Sequence, residues 1–277
     1  MGARIARCLV RSGYQLTVCD KRPHALENFI DMGVRVTDTP AVCAECEIVI
    51  IMVVNDSQVK EVVLRPDGLL NAVDSSHAPL LAVMSTVLPE TIQELAPQCA
   101  EKNVHLVDAP VSGFPTRAEE GKLSIMVGGE KEDLETMRPV FEVMGESIYH
   151  TGALGTGEIT KLVNNILGIT NLFLSVEAML VGQECGMDPH KLASILETSS
   201  GRNFATKDWK KARLVYKAFS QSIDLTEVAV DLCLKDLRHA QKMAKDINVT
   251  CPLLDHIVKG ISGFSYEEIK RRWHSVI

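Results

Sequence analysis

The sequence predicts an α/β chain, with a parallel-sheet domain first and an all-helical domain after it. Three observations carry that expectation. Through the first half, short apolar runs alternate with helical periodicity, the pattern of βαβ units around a parallel sheet. One run, Ile48-Val49-Ile50-Ile51-Met52-Val53-Val54, is apolar on both faces, as a strand must be when helices cover both sides of its sheet. Beyond Gly152 the alternation stops and only helical patterns remain.

The elements follow in order. Met1-Gly2-Ala3-Arg4-Ile5-Ala6 reads as the last glycine of a G-x-G-x-x-G turn running into a helix over 4–12. A strand at 16–19 ends on Asp20. The strand and the two glycines that would precede Gly2 in a complete dinucleotide-binding unit are not in the sequence. The expectation is therefore a Rossmann-type parallel sheet domain with its first strand missing, an N-terminal truncation. Helix 24–31 comes next, then strands at 48–54 and 80–84, helix 91–102, strands at 105–107 and 124–127, helix 132–144 and strand 148–150. A long helix over 157–185 is stopped by Gly186 and Pro189 and leads to helices at 190–197, 226–245 and 252–260. The charged stretch 207–222 shows no clear period. The domains are placed at 1–151 and 152–277, with the helix from Gly157 stiffening the junction.

Composition narrows the function classes. A chain of 277 residues can bury a sizeable core in one large or two ordinary domains. A net charge of −7 argues against a broad surface for nucleic acid or anionic membrane. Arg4, Arg7 and Arg11 interrupt the first apolar stretch, so no signal peptide is read, and no run approaches the ~20 apolar residues of a membrane span. The eight cysteines are scattered, which suits a reducing compartment. Cys43-Ala44-Glu45-Cys46 spells C-x-x-C, but without a second pair it reads as helix packing rather than a metal or redox pair, and no metal site is expected.

Four segments could carry chemistry. Gly2 opens a helix whose free N–H groups suit a pyrophosphate, and Asp20, 18 residues on, could accept hydrogen bonds from a ribose 2′-OH. That favours NAD, although Lys21 and Arg22 could hold the 2′-phosphate of NADP. Val107-Asp108-Ala109-Pro110-Val111-Ser112-Gly113-Phe114 is a strand followed by a small-residue loop that could bind a carboxylate through Ser112 and the amides around Gly113, or be a plain turn. Lys161 and Asn165 are four apart and share a helix face edged by Ile159 and Leu162. Burial there would make the lysine a proton acceptor near neutral pH; the alternative is a surface lysine and a helix-interior asparagine. Lys235-Asp236-Leu237 is, taken alone, a solvated pair of helix charges.

The order and spacing of these segments resemble the β-hydroxyacid dehydrogenases over nearly the whole chain. The opening through Ala6, Leu9, Gly13, Val18 and Asp20 is similar to that family's N-terminal pattern, and Ser85-Thr86 to its strand-end pair beside the nicotinamide ribose. Residues 108–113 with Gly121, Leu123, Gly128 and Gly129, then Gly157, Lys161 and Asn165, then Lys235, fall on its later segments. The resemblance implies a Rossmann domain, a long interdomain helix, an all-helical domain and an active site in the cleft between them. It implies hydride transfer between NAD(P) and a small 3-hydroxy acid of hydroxyisobutyrate, tartronate semialdehyde or threonate type. Lys161 would be the general acid/base and Asn165 would hold the same oxygen. Ser112, Gly113 and Phe114 would bind substrate, and Gly2, Asp20, Thr86 and Lys235 the cofactor. It further implies a homodimer or homotetramer, in the cytoplasm, or in the mitochondrial matrix if a transit peptide lies upstream. Two departures stand out: Phe114 replaces a common glycine, and Asn55-Asp56 stands where many relatives have a proline. The missing strand raises the alternative of a non-catalytic oligomerising relative that has lost cofactor binding.

Overall fold

Leu80, Leu81, Ala82 and Val83 are all buried, and they alternate between two cores: Leu80 and Ala82 pack into one, Leu81 and Val83 into the other. A strand covered on both faces has no polar side, which is why this run is continuously apolar. The computed structural model describes residues 1–74 and 77–277. It divides into Met1–Lys161 and Leu162–Ile277, and the division falls within one long helix.

In the first unit the order is α1 (Gly2–Arg11), β1 (Thr17–Cys19), α2 (Pro23–Asp31), β2 (Arg35–Thr37), a tight 3₁₀ turn (Pro40–Glu45), β3 (Ile48–Ile51), α3 (Asp56–Leu64), α4 (Leu69–Ala72) and β4 (Leu80–Val83). There follow α5 (Pro89–Ala100), β5 (His105–Asp108), β6 (Val111–Ser112), α6 (Phe114–Glu119), β7 (Leu123–Gly128), α7 (Lys131–Met144), β8 (Gly145–Gly152) and the start of α8 (Thr156–Glu184). Prolines at the first turns of α2 and α5 cost no hydrogen bond there and pre-set the backbone. Asn55 caps α3, its side chain accepting from the Gln58 amide at 2.9 Å.

β1 and β2 pair in parallel, Val18 opposite Val36. The larger sheet runs β3-β4-β5-β7-β6, with β8 on β7. β3, β4 and β5 are parallel neighbours, as the sequence predicts, whereas β7 is antiparallel to β5 and β6 and parallel to β8. One core joins Ile5 and Leu9 of α1, Val107, Ile125 and Val127 of the sheet, and Leu134, Met137 and Phe141 of α7. The opposite core joins Val49 and Ile51 to Val59, Val63, Ile92 and Leu95. Each such side chain contributes about 1.5–3 kcal/mol on burial. Cys43 lies in this second core with Cys19 and Cys46 packed against it, and all three are free thiols.

The second unit holds the rest of α8 with α9 (Pro189–Glu197), α10 (Phe204–Lys207), α11 (Trp209–Phe219), α12 (Ile223–Asp246), α13 (Pro252–Ser262) and α14 (Tyr266–Ser275). Leu162, Ile169, Leu172, Val176 and Met179 recur at helical spacing along α8 and pack with Trp209, Tyr216, Leu234, Leu237, Val258 and Trp273. The buried Tyr216 hydroxyl donates to the Leu172 carbonyl at 2.9 Å. Asp188, Asn203, Asp208, Ser222 and Ser265 cap five of the helices by accepting backbone N–H bonds. The charged stretch at 207–222 is mostly α11, whose buried Trp209, Ala212 and Tyr216 form a stripe beneath the charges.

α8 corrects one expectation: by length and composition it could cross a membrane. The same test is met by the core helices of water-soluble proteins, and α8 supplies five side chains to the core just described.

Candidate active site

The site is built from the carboxyl ends of strands, where open α/β sheets hold ligands. The Ser85 hydroxyl, just past β4, accepts from the Val53 amide, just past β3, at 2.7 Å. Asp56 Oδ1 accepts from the Leu88 amide at 2.8 Å and from the Thr91 hydroxyl at 2.7 Å. Together these bonds fix the loop that carries Thr86, which is half-buried.

Asp108 ends β5 fully buried beneath the N-terminus of α8. Its Oδ1 accepts from the Gly155 amide at 2.6 Å and its Oδ2 from the Glu158 amide at 2.8 Å. Two of the donors a helix leaves unpaired at its start are thereby satisfied by a carboxylate, the sign the helix dipole favours. Burial pushes the Asp108 carboxyl above its ordinary range, against the pull of those amides. The approach is close enough to exclude side chains: a Cβ on Gly157 would lie 2.5 Å from the Met126 carbonyl oxygen and 2.7 Å from Asp108 Oδ2. Glu158, also fully buried, accepts from the Val87 amide at 3.2 Å and so ties the loop after β4 to the same helix start.

One turn further along α8 stand Lys161, 9% exposed, and Asn165, 8% exposed. The expectation of a shared, desolvated face describes them, and a surface lysine does not. Asn165 Nδ2 donates to Asp236 Oδ2 at 2.7 Å, and Asn164 Nδ2 donates to Asn165 Oδ1 at 3.0 Å. Lys235 Nζ lies 2.7 Å from Asp236 Oδ1, and both side chains are mostly buried. The second unit thus brings Asn165, Lys235 and Asp236 together. The view of Lys235 and Asp236 as solvated helix charges is corrected by that burial.

Ser112 sits in β6 opposite Ser124 of β7, and Gly113 and Phe114 lead into α6. Gly113 has φ +146°, and Phe114 has φ +59°, a left-handed backbone that a bulky side chain rarely adopts. The aromatic residue therefore occupies a conformation suited to glycine.

Gly2 opens α1 and Asp20 follows β1. A Cβ on Gly2 would meet Met52 Cγ at 3.5 Å, an ordinary contact, so packing alone does not demand a glycine there. Both Asp20 oxygens are held by Arg22: Nε reaches Oδ1 at 3.0 Å, Nη2 reaches Oδ2 at 2.9 Å, and the Arg22 amide adds a third bond at 2.9 Å. The guanidinium holds the Asp20 carboxyl below the usual carboxylate range.

Sequence reasoning missed Glu158 as a buried carboxylate and Asp236 as a structural partner. A signal for Asp236 existed: on α12 it lines up with Ala229, Cys233 and Ala240, apolar positions three, four and seven residues away.

Residues 1–152 match the NAD binding domain of 6-phosphogluconate dehydrogenase, and residues 155–267 match the NAD-binding region of NADP-dependent 3-hydroxyisobutyrate dehydrogenase. The chain is 37% identical to a 3-hydroxyisobutyrate dehydrogenase of Pseudomonas aeruginosa over 74% of its own length and 68% of that protein's. It is 32% identical to the 2-(hydroxymethyl)glutarate dehydrogenase of Eubacterium barkeri, covering 91% and 82% of the two chains. Among solved structures it is similar to the Mycobacterium tuberculosis 3-hydroxyisobutyrate dehydrogenase with L-serine, at a TM-score of 0.80 and 25% identity over 99% of this chain and 95% of that one.

Proposed function

Because the chain belongs to the β-hydroxyacid dehydrogenase family, an NAD(P)-dependent group of oxidoreductases, we propose that Lys161 is the proton carrier in its oxidation of a small 3-hydroxy acid. The observation that carries this reading is the burial of Lys161 and Asn165 on one turn of α8.

In the oxidative direction the uncharged Lys161 amine accepts the hydroxyl proton as the carbinol carbon loses a hydride; in reduction the ammonium returns it. When bound, the nicotinamide supplies the acceptor or donor for that hydride. Asn165 holds the same oxygen. The Ser112 hydroxyl and the Gly113 amide bind the substrate carboxylate, with Phe114 narrowing the loop beside them. Asp20 receives the ribose 2′-OH, Gly2 and Thr86 border the dinucleotide, and Lys235 lies near the nicotinamide. NAD is the expected partner, and Arg22 leaves NADP open.

An apolar stripe on α8, Val163, Leu167, Leu174 and Val181, is exposed in the second unit and supports a homo-oligomer. A cytoplasmic location is expected, with the mitochondrial matrix as the alternative; a similar 3-hydroxyisobutyrate dehydrogenase of Bos taurus is mitochondrial. The test is reduction of NAD and NADP with hydroxyisobutyrate, hydroxymethylglutarate, L-serine and threonate, and oxidation of NADH and NADPH with tartronate semialdehyde. Lys161→Ala should lower kcat by about 10²–10⁴-fold. No turnover of any substrate, or a Lys161→Ala variant equal to the parent, overturns the reading.

A further inference from the structure

We infer that Asp236 is a positioning residue that fixes which end of the Asn165 amide faces the substrate oxygen. The inference rests on the role proposed for Asn165 and adds a direction to it. An asparagine side chain is an acceptor at one end and a donor at the other, and the two ends have nearly the same shape. Left alone, either could point at the substrate.

Asp236 removes that freedom. Its Oδ1 lies 2.7 Å from Lys235 Nζ, an ion pair of carboxylate and ammonium. An ionised carboxylate only accepts hydrogen bonds, so the group 2.7 Å from Oδ2 has to be the Asn165 NH₂. The amide oxygen then falls on the other side, where Asn164 Nδ2 donates to it at 3.0 Å. Asp236, the partner of fixed polarity, thereby assigns both ends of Asn165, and the bond from Asn164 follows the same sense. One of its two N–H bonds is committed to Asp236, and the second is left for substrate.

The polarity matters to the chemistry. Loss of hydride and proton turns a hydroxyl into a carbonyl, and negative charge grows on the oxygen along the way. A donor there stabilises that charge, whereas an amide oxygen would repel it and would compete with Lys161 for the hydroxyl proton.

A swap of the two side chains separates positioning from simple support. Asn165→Asp alone sets two carboxylates against each other and should lower the melting temperature. Asn165→Asp with Asp236→Asn restores the hydrogen bond in the opposite sense. That double variant should melt close to the parent yet turn over at least about 10²-fold more slowly, because it presents an acceptor to the substrate. Asp236→Ala should cost about tenfold or more in kcat in the parent, and little further in an Asn165→Ala background. A swap variant with parental kcat, or an Asp236→Ala cost that is undiminished in the Asn165→Ala background, overturns the inference.

A readout independent of turnover keeps it distinct from the functional assignment. The side-chain ¹⁵N–¹H₂ signal of Asn165, identified by its loss in Asn165→Asp, should shift in Asp236→Ala. An unchanged signal overturns the inference whatever the enzyme acts on. A shifted signal in a protein that turns over none of the hydroxy acids supports it and sinks the function alone.

Discussion

Phe114 carries the clearest strain in the first unit. A left-handed backbone costs a side chain with a Cβ about 1–2 kcal/mol, and a glycine would not incur it. Phe114→Gly should therefore stabilise the chain by up to about 1 kcal/mol, seen as a higher midpoint in denaturant. A lower midpoint would mean that the ring's packing outweighs the strain. At Asp20 the relevant quantity is charge. Its folded-state titration is lowered by Arg22, so the stabilisation it gives is present above the unfolded value of about 4 and is lost as pH falls through the lowered folded value. Arg22→Ala should move the Asp20 midpoint back up and remove that acid-side component. A carboxyl NMR titration checks it, and an unmoved midpoint would contradict the pairing.

The start of α8 is where two elements depend most on each other. Asp108 accepts from both helix-start amides only because Gly157 lets the helix approach β5. Gly157→Ala pushes a methyl against backbone that cannot yield and should cost about 1–3 kcal/mol. Asp108→Asn places an NH₂ against a backbone N–H and should cost a similar amount, about 1–3 kcal/mol. Equilibrium unfolding measures both, and a neutral Asp108→Asn would show that the capping bonds contribute nothing. Elements differed in how visible they were beforehand. β3, β4 and α8 stand out in the sequence because burial on two faces or along a long stripe leaves a dense apolar record. β2 and β6 are too short to show a period, and α3 and α11 hide narrow buried stripes under many charges. The spacing of Lys161 and Asn165 was readable because one helical turn is four residues. Glu158 was not, since a buried carboxylate looks in sequence like any exposed one until its partners are known.

At the scale of the whole molecule, the exposed stripe on α8 is the feature most in need of a partner. Leu167 and Val181 are each 65% exposed. Leu167→Glu should shift the sedimenting species to lower mass, because a carboxylate would be buried against apolar surface in a symmetric contact. An unchanged mass would place the subunit contact elsewhere.

The aromatic cluster of the helical unit has a practical consequence. The protein has two tryptophans, Trp209 and Trp273, and both lie in the second unit, buried beside Tyr216. Intrinsic tryptophan emission therefore reports on the helical half alone, and melting of the nucleotide-binding half is optically silent in that channel. An emission-monitored unfolding curve that precedes or trails one recorded by circular dichroism would be the sign that the two halves lose structure separately.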